Sequence, residues 1–225
     1  MLNNDKKIFC VIPAFNEEKE IGSVIDGVKQ YIENVVVVDD ESSDKTVDIA
    51  KQHGAIVLKH LVNRGQGAAL QTGDEYALKN GANIIVHFDA DGQFISEEIP
   101  SIIEPLYKEE CDIVFGSRFL NKNLNMPYVK KNFIYPIAKF ITRFFLKINI
   151  SDPQCGFRAL SRHAANLITI ENDRMAHCSE ILMKTQKNKI KYQEIPITVV
   201  YKRYGQNFFG GINILKDLFL GKFTQ

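Results

Sequence analysis

The sequence predicts an α/β fold in which helices flank a mainly parallel central sheet. Short apolar segments alternate along the first half of the chain with segments that have helical spacing of their apolar residues. The strand segments are apolar throughout, as in the four consecutive valines at 35–38, which is typical of strands covered on both faces. Polar side chains follow directly after several of these strands, at the sheet edge where ligands bind in such folds.

Each element of the first half has its own local pattern. An apolar strand at 8–12 precedes a helix at 17–31, whose apolar residues recur every three or four positions. A second strand at 35–38 precedes a helix that Ser43 or Asp44 can cap. The other predicted elements of this half are strands at 55–58, 84–88 and 112–115, a glycine-rich loop at 63–67, and helices at 68–79 and 100–107.

The second half of the chain is less regular. Short strands are predicted at 155–160 and 195–201, and the segment 135–148 is apolar except for a stripe of Lys139, Arg143 and Lys147 at intervals of four residues. That stripe suits a helix at an anionic membrane surface, and equally a solvated helix face packed on the core. The aromatic segment 208–223 can dock on lipid or on the sheet. Since no Pro-, Gly- or Ser-rich linker divides the chain, residues 1–225 are expected to form one domain.

Composition excludes several classes of protein. The 28 Lys and Arg residues nearly balance the 27 Asp and Glu residues, so a nucleic-acid partner is not expected. The four cysteines are widely spaced, which fits neither a zinc site nor a disulfide scaffold and favours reduced thiols in the cytoplasm. No signal peptide and no apolar run of about 18 residues is evident, so we expect a cytoplasmic protein, with attachment to a membrane surface left open.

Two acidic clusters follow buried strands. Asp89 and Asp91 end the fourth predicted strand, and such a carboxylate pair can hold Mg²⁺ or Mn²⁺ together with diphosphate oxygens, with Gln93 adding an amide oxygen. The alternative is a solvated turn, which Asp and Gly favour. After the second strand, Asp39 can accept hydrogen bonds from a base or a ribose, while Asp44 caps the next helix.

The glycine-rich loop of this chain is weaker evidence for a phosphate-binding site than the acidic clusters are. The fingerprint G-x-G-x-x-G is absent after the first strand, which argues against a dinucleotide-binding dehydrogenase, and the P-loop pattern is absent throughout. The loop from Asn63 to Gly67 precedes a helix, so its amides can approach a ligand closely.

In combination these motifs resemble the family 2 glycosyltransferases, which have the nucleotide-sugar-binding GT-A fold. The resemblance is strong over residues 8–120, and later motifs resemble the polyprenyl-phosphate sugar transferase branch, which includes dolichol-phosphate mannose synthase. The motifs that carry it are Ile12-Pro13-Ala14-Phe15-Asn16-Glu17, Val38-Asp39-Asp40-x-Ser42-x-Asp44-x-Thr46, Asn63-Arg64-Gly65-x-Gly67, Asp89-Ala90-Asp91-Gly92-Gln93, Gly116-Ser117-Arg118, Asp152-x-Gln154-Cys155-Gly156-Phe157-Arg158 and Glu194-Ile195-Pro196.

The resemblance implies a nucleotide-sugar-binding half at 8–120 and an acceptor-binding half at 121–225. It implies a nucleoside pocket lined by Pro13, Phe15, Glu17 and Asp39, with Asn63 and Gly67 also near the nucleotide sugar. It further implies that Asp89, Asp91 and Gln93 face the diphosphate and a Mg²⁺ or Mn²⁺ ion, and that an acceptor phosphate meets Arg118, Arg143, Lys202 and Arg203. This chain departs from the family in having Phe15 for the usual Tyr, Gln66 for a frequent Lys, and Asn207-Phe208 for a late Ser-Lys pair.

The expected reaction is inverting sugar transfer from GDP-mannose or a UDP-hexose to a polyprenyl phosphate. A phosphate acceptor needs no deprotonation, because its second pKa is about 6. A sugar hydroxyl in glycan or surface-polysaccharide assembly is the alternative acceptor, and it would need Asp152 or Glu180 as general base. A non-catalytic scaffold that binds nucleotide sugars is the alternative of a different class. A lipid acceptor would also suit a small integral-membrane partner, since the sequence contains no span of its own.

Overall fold

A computed structural model describes residues 6–120 and 148–200. The predicted helix at 135–148 and the aromatic segment at 208–223 therefore lie largely or wholly outside the described residues, as do Lys139, Arg143, Lys147, Lys202 and Arg203.

The described strands are β1 (Ile8–Ala14), β2 (Asn34–Asp39), β3 (Ile56–Lys59), β4 (Ile84–His87), β5 (Ile113–Ser117), β6 (Arg158–Ser161) and β7 (Tyr192–Pro196). The helices are α1 (Ile21–Lys29), α2 (Thr46–Gln52), α3 (Gln66–Lys79), α4 (Ile99–Tyr107), α5 (Arg162–Leu167) and α6 (His177–Lys187). Within these described ranges, no helix is long and apolar enough to cross a membrane.

These strands form one sheet in the order β3-β2-β1-β4-β6-β5-β7. All pairings are parallel except those of β6, which runs antiparallel to both β4 and β5. The strand order reverses at β1, which pairs with β2 on one side and with β4 on the other. Ligands bind beside the carboxyl ends of strands at such a reversal, so the end of β1 and the end of β4 are where a site is expected.

The valine run of β2 explains how the sheet is covered on both faces. Val35 and Val37 belong to the core layer that also holds the apolar residues of α1 and α4, whereas Val36 and Val38 belong to the layer formed with α3, α5 and α6. Successive side chains of a strand point to opposite faces, so a strand buried on both faces requires apolar residues at every position. The predicted α/β class with a mainly parallel sheet is confirmed.

The structure corrects several predicted elements. The strand expected at 155–160 is Arg158–Ser161, and the strand expected at 195–201 is Tyr192–Pro196. The second shift arises because all five residues of β5 pair with Tyr192–Pro196, while Val200 instead donates its amide to the carbonyl of Gln93. The first helix begins at Ile21 rather than at residue 17, and helices α5 and α6 have no counterpart among the predicted elements.

Candidate active site

A cavity of about 400 Å³ lies at the carboxyl ends of β1 and β4. Many of the residues that the sequence predicts for a binding site line it: Pro13, Phe15 and Glu17 at and after the end of β1, Asp89, Asp91 and Gln93 after β4, and Arg118 after β5. The second half of the chain contributes Gln154, Cys155, Gly156, Met175, His177 and Cys178. Residues from both halves of the chain therefore meet at the point where the strand order reverses.

The loops after β1 and β2 are bonded to each other. Asn16 donates its backbone amide to Ser42 Oγ at 2.8 Å, and its side-chain oxygen accepts the amide of Ser43 at 2.9 Å. Glu17 donates its amide to Thr46 Oγ1 at 2.8 Å. Asn16 has a φ of 56°, a left-handed conformation that asparagine tolerates better than most residues. These bonds fix the position of Phe15, a residue that is 48% exposed and lines the cavity.

Asp39, at the end of β2, is fully buried, and only one of its two carboxylate oxygens has a hydrogen-bond partner in the described part of the chain. Its Oδ2 accepts the amide of Ser42 at 3.2 Å, whereas its Oδ1 has no hydrogen-bond partner within residues 6–120 and 148–200. A buried acceptor without a donor is costly, so a donor from a ligand would be stabilising here. Asp40 lines the cavity, whereas Asp39 does not. Asp44 Oδ1 accepts the amide of Thr46, the first residue of α2, at 2.9 Å, although the N-cap position of this helix is Lys45 rather than Ser43 or Asp44.

Asp40 organises the glycine-rich loop. Its carboxylate accepts the amides of Arg64 at 3.0 Å and Gly65 at 2.6 Å, and it pairs with His60 Nδ1 at 2.7 Å. Burial opposes ionisation, but these hydrogen bonds hold the pKa of Asp40 below its usual range. Asn63 donates its side-chain amide to the Asp40 carbonyl at 3.0 Å. Three of the loop amides expected to approach a ligand are thus engaged within the protein, those of Arg64 and Gly65 by Asp40 and that of Asn63 by Glu41.

Gly67 lies where helix α3 and the segment before α6 approach each other closely. A Cβ atom at this position would lie 2.0 Å from the backbone oxygen of Asn172, and one at Gly65 would lie 2.5 Å from that of Asp173. The amide of Ala68 donates to the Asp173 carbonyl at 3.2 Å. In the structure, Gly67 therefore serves chain packing, and neither it nor Asn63 lines the cavity.

Replacing Gly67 with alanine should destabilise the protein by about 3 kcal/mol, because the new methyl group meets a backbone atom that cannot rotate away. Urea unfolding followed by circular dichroism measures this change. Lys79→Ala, at an exposed position of the same helix, should leave the free energy of unfolding within about 0.5 kcal/mol of the parent value. A Gly67→Ala protein as stable as the parent would show that the two segments separate easily.

Asp89 and Asp91 lie together at the end of β4. Gln66 Nε2 donates to Asp89 Oδ1 at 2.9 Å, and Asp91 Oδ1 accepts the amide of Gln93 at 3.0 Å. Burial, reinforced by the negative charge of Asp91, raises the pKa of Asp89 to about 7. The backbone of Gly156 approaches so closely that a Cβ atom there would lie 2.6 Å from Asp89 Oδ2.

This carboxylate pair fits a hard divalent cation. Two neighbouring carboxylates with a nearby amide side chain provide the oxygen ligands that Mg²⁺ and Mn²⁺ prefer, and a cation would offset the burial and the Asp91 charge that together raise the Asp89 pKa. Among the described residues no group of three or more His, Cys, Asp or Glu side chains could hold a metal by itself. Mg²⁺ usually keeps water and phosphate ligands beside one or two carboxylates, so two suffice.

Arg118 and Asp152 form a buried bidentate pair beside the cavity. Arg118 Nε lies 2.6 Å from Asp152 Oδ2, and Nη2 lies 2.7 Å from Oδ1. The Asp152 side chain is 0% exposed and the Arg118 side chain 16%, and only Arg118 of the two lines the cavity. Both oxygens of Asp152 are therefore occupied by a guanidinium, and this carboxylate is poorly placed to contact an acceptor hydroxyl in the cavity.

Glu180, the other candidate base, is also occupied. It accepts the amides of Glu171 and Asn172 and forms an ion pair with Lys184 at 2.8 Å. Burial opposes ionisation, but the bonds from Lys184 and Asn172 hold the pKa of Glu180 below its usual range. This carboxylate anchors the segment that packs on Gly67, and it does not line the cavity.

Several cavity residues were missed by sequence reasoning. In the sequence, Gln66 stands out only as a replacement for a frequent lysine, yet it bonds Asp89 directly. Arg158, His177 and Cys178 form a contiguous cluster, of which His177 and Cys178 line the cavity. Adjacent His and Cys residues show no metal-binding spacing, and only the knowledge that helix α6 begins beside the cavity would have revealed them.

A protein family and several proteins with assigned names are similar in sequence to this chain. The family model described as glycosyl transferase family 2 matches residues 9–168. A UDP-N-acetylglucosamine–dolichyl-phosphate N-acetylglucosaminyltransferase of Methanococcus voltae is 34% identical, with 97% of each chain covered. An undecaprenyl-phosphate mannosyltransferase of Micrococcus luteus is 28% identical over 91% of this chain and 88% of that protein.

A solved structure has the same fold. Glucosyl-3-phosphoglycerate synthase of Mycobacterium tuberculosis, crystallised with Mg²⁺ and UDP, superposes with a TM-score of 0.73 at 20% identity, covering 96% of this chain and 79% of that one. The expected GT-A architecture is thereby confirmed.

Proposed function

The chain belongs to glycosyl transferase family 2, a glycosyltransferase family, and we propose that it is an inverting, metal-dependent enzyme that moves a sugar from a nucleotide to a polyprenyl phosphate. The observation that carries the proposal is the make-up of the cavity. It joins the Asp89–Asp91 pair, suited to a metal and a diphosphate, to the Arg118 guanidinium, suited to a phosphate acceptor.

The nucleoside would lie between Phe15 and Asp39. The exposed Phe15 ring offers an apolar surface on which a base can stack. Uracil and guanine both carry ring N–H groups, which are the kind of donor that the unsatisfied Oδ1 of Asp39 lacks. The name of the Methanococcus voltae relative makes UDP-N-acetylglucosamine the first donor to test, followed by UDP-glucose and GDP-mannose.

The diphosphate and the sugar would occupy the part of the cavity beside β4. Asp89, Asp91 and Gln93 would hold Mg²⁺ or Mn²⁺, which when bound stabilises the leaving diphosphate as a Lewis acid. Gln66 holds Asp89 in place through its amide. Gln154 lines the cavity, and its Oε1 is buried without a partner in the described residues, so a sugar hydroxyl can supply the donor.

An acceptor phosphate would be held by Arg118 and attack the sugar carbon from the face opposite the diphosphate. Asp152 fixes the guanidinium at 2.6 and 2.7 Å, so little reorganisation is needed when the phosphate arrives. A phosphate monoester is largely ionised near neutral pH and needs no general base. Attack opposite to the leaving group inverts the anomeric centre.

The state of the two candidate bases favours a phosphate over a sugar hydroxyl as acceptor. A hydroxyl acceptor needs a general base within hydrogen-bond reach of its proton. Asp152 is occupied by Arg118, and Glu180 is occupied by two amides and Lys184. A non-catalytic scaffold would have no need for an acidic pair and a guanidinium around one cavity.

The proposal is tested by measuring nucleoside diphosphate release from a panel of nucleotide sugars. Each donor is incubated with a short polyprenyl phosphate, with and without Mg²⁺ or Mn²⁺, and the lipid product is identified by mass spectrometry. We expect release with one donor, and only when both metal and lipid phosphate are present. The matching polyprenol without phosphate is the control, and it should give no product.

Other outcomes of this assay would support one of the two alternative functions. Release with a sugar acceptor but not with lipid phosphate would establish the hydroxyl alternative. Binding of a donor without release on any acceptor would establish the scaffold. The same assay in detergent, in liposomes and with native membranes also tests peripheral attachment to a membrane and the need for a small integral-membrane partner.

A further inference from the structure

Cys178 differs from the other cysteines of the chain in its surroundings. Cys10, Cys111 and Cys155 are buried, and burial raises the pKa of each thiol, in Cys111 to about 11. Thiols of this kind stay protonated at neutral pH and react slowly, because the thiolate is the nucleophile.

Two nitrogen atoms approach the sulfur of Cys178. Arg158 Nη2 and His177 Nε2 each lie 3.4 Å from it. His177 Nδ1 lies 2.8 Å from the Arg174 carbonyl oxygen, which can only accept, so Nδ1 carries a proton. Although burial opposes ionisation, the charges of His177 and Arg158 lower the pKa of Cys178 to about 6.

The buried guanidinium of Arg158 requires a negatively charged neighbour. Its side chain is almost completely buried, and it donates to the carbonyl oxygens of Gly156 at 3.2 Å and Cys155 at 3.0 Å. No carboxylate lies within ion-pair distance of it in the described ranges 6–120 and 148–200, and the charge of Asp89 acts on Arg158, His177 and Cys178 from farther away. A buried cation is costly unless it is paired, and a thiolate at Cys178 places a negative charge in direct contact with the guanidinium.

Cys178 also lies in the wall of the cavity. Cys178 and His177 both line the space that holds Asp89 and Asp91, although Cys178 as a whole is only 4% exposed. A reagent small enough to enter the cavity would therefore meet a wall residue whose sulfur is flanked by Arg158 and His177. Cys155 lines the same cavity, but its thiol points to the carbonyl oxygen of Phe157 at 3.7 Å and stays protonated. Both cysteines line the cavity, and their sulfur atoms have different neighbours.

We propose that Cys178 is a covalent modification site inside the donor pocket, where small disulfides and other soft electrophiles form adducts that exclude the nucleotide sugar. In the reaction with a disulfide, the Cys178 thiolate attacks one sulfur, the disulfide bond breaks, a new bond to Cys178 forms, and a thiolate leaves. A reducing thiol reverses the exchange. The exclusion of the donor rests on the proposed function of the pocket, whereas the reactivity of the thiol does not.

The reactivity is tested on the folded chain with iodoacetamide at pH 7, followed by digestion and mass spectrometry of the four cysteine peptides. Cys178 should be alkylated at least about tenfold faster than Cys10, Cys111 and Cys155, and Cys155 is the internal control for access to the cavity. His177→Asn should slow alkylation of Cys178 and leave the rates of the other three unchanged. Alkylation of Cys178 no faster than that of Cys155 would overturn the proposal.

The effect on the pocket is tested with methyl methanethiosulfonate, which leaves a small S-methylthio group on the thiolate. Titration calorimetry with UDP and with GDP, each with Mg²⁺, should show at least about tenfold weaker nucleotide binding after treatment, restored by dithiothreitol. Cys178→Ser should bind nucleotide equally before and after treatment, and Cys111→Ser should respond as the parent does.

Unchanged nucleotide binding by a chain that carries one adduct on Cys178 would overturn the exclusion of the donor. An untreated protein that binds neither nucleotide contradicts the proposed donor pocket instead, and the alkylation ranking then decides alone whether Cys178 is the reactive thiol.

Discussion

Replacement of Asp91 by asparagine should reduce the rate of sugar transfer by about 10³-fold or more. The change removes one of the two negative charges that would hold a divalent cation on the donor diphosphate. A loss of about 4 kcal/mol of transition-state stabilisation corresponds to that factor. The fold should survive, because the asparagine side-chain oxygen can still accept the Gln93 amide that Asp91 Oδ1 accepts at 3.0 Å.

The measurement is the initial rate of nucleoside diphosphate release under saturating donor and lipid phosphate. A second readout is the affinity for nucleotide with and without Mn²⁺, which in the variant should no longer depend on the metal. The control is Glu97→Gln. Glu97 lies in the short 3₁₀ turn Ser96–Glu98, is exposed and does not line the cavity, so this variant should keep both readouts at the parent values. Transfer by Asp91→Asn at the parent rate would contradict the assignment of Asp91 to the metal and the diphosphate.

Replacement of Arg118 by lysine should lower kcat/KM for the polyprenyl phosphate by about 10²-fold, with the affinity for the nucleotide unchanged. Lysine keeps the positive charge but loses the planar fork that binds Asp152 and a phosphate together. Removal of one preorganised donor typically costs about 10²–10³-fold in rate. Steady-state kinetics with varied lipid phosphate, together with calorimetric titration of UDP and GDP, separate the two effects.

Asp152→Asn, made alone and together with Arg118→Lys, tests how Asp152 acts. If this carboxylate positions Arg118, the double variant should be about as impaired as Arg118→Lys alone, because the two residues act as one unit. If Asp152 were a general base, the two losses would multiply, and Asp152→Asn would lose the pH dependence of kcat that a titrating base gives. Multiplying losses would therefore favour the hydroxyl acceptor over the phosphate.

The ends of the parallel strands could be predicted from the sequence because they carry two signals at once. An apolar run followed by polar residues marks both a buried strand and its exposed end, and Asp89, Asp91 and Arg118 accordingly line one cavity. The role of Asp40 could not be predicted in this way. Neighbouring acids look alike in sequence, and only the tertiary position of the loop that contains Gly65 distinguishes Asp40 from Asp39.

Long-range pairing limits what could be predicted in the second half. The position of β7 at Tyr192–Pro196 is set by its partner β5, almost eighty residues earlier in the chain, whereas its own sequence favours a later start. The sequence presents Asp152 as a candidate base because it is a carboxylate near the expected site. Its burial against Arg118 follows from contacts that local patterns do not encode.

The insertion of β6 between β4 and β5 has a consequence for how the chain acquires its structure. During synthesis, β4 and β5 emerge long before Arg158–Ser161, yet neither is neighbour to the other in the finished sheet. The edges of β4 and β5 that later pair with β6 must stay unpaired until β6 has been synthesised. Closing the long loop between β5 and β6 is entropically costly. A fragment that stops at residue 120 should consequently aggregate through its open edges rather than fold as a separate nucleotide-binding unit.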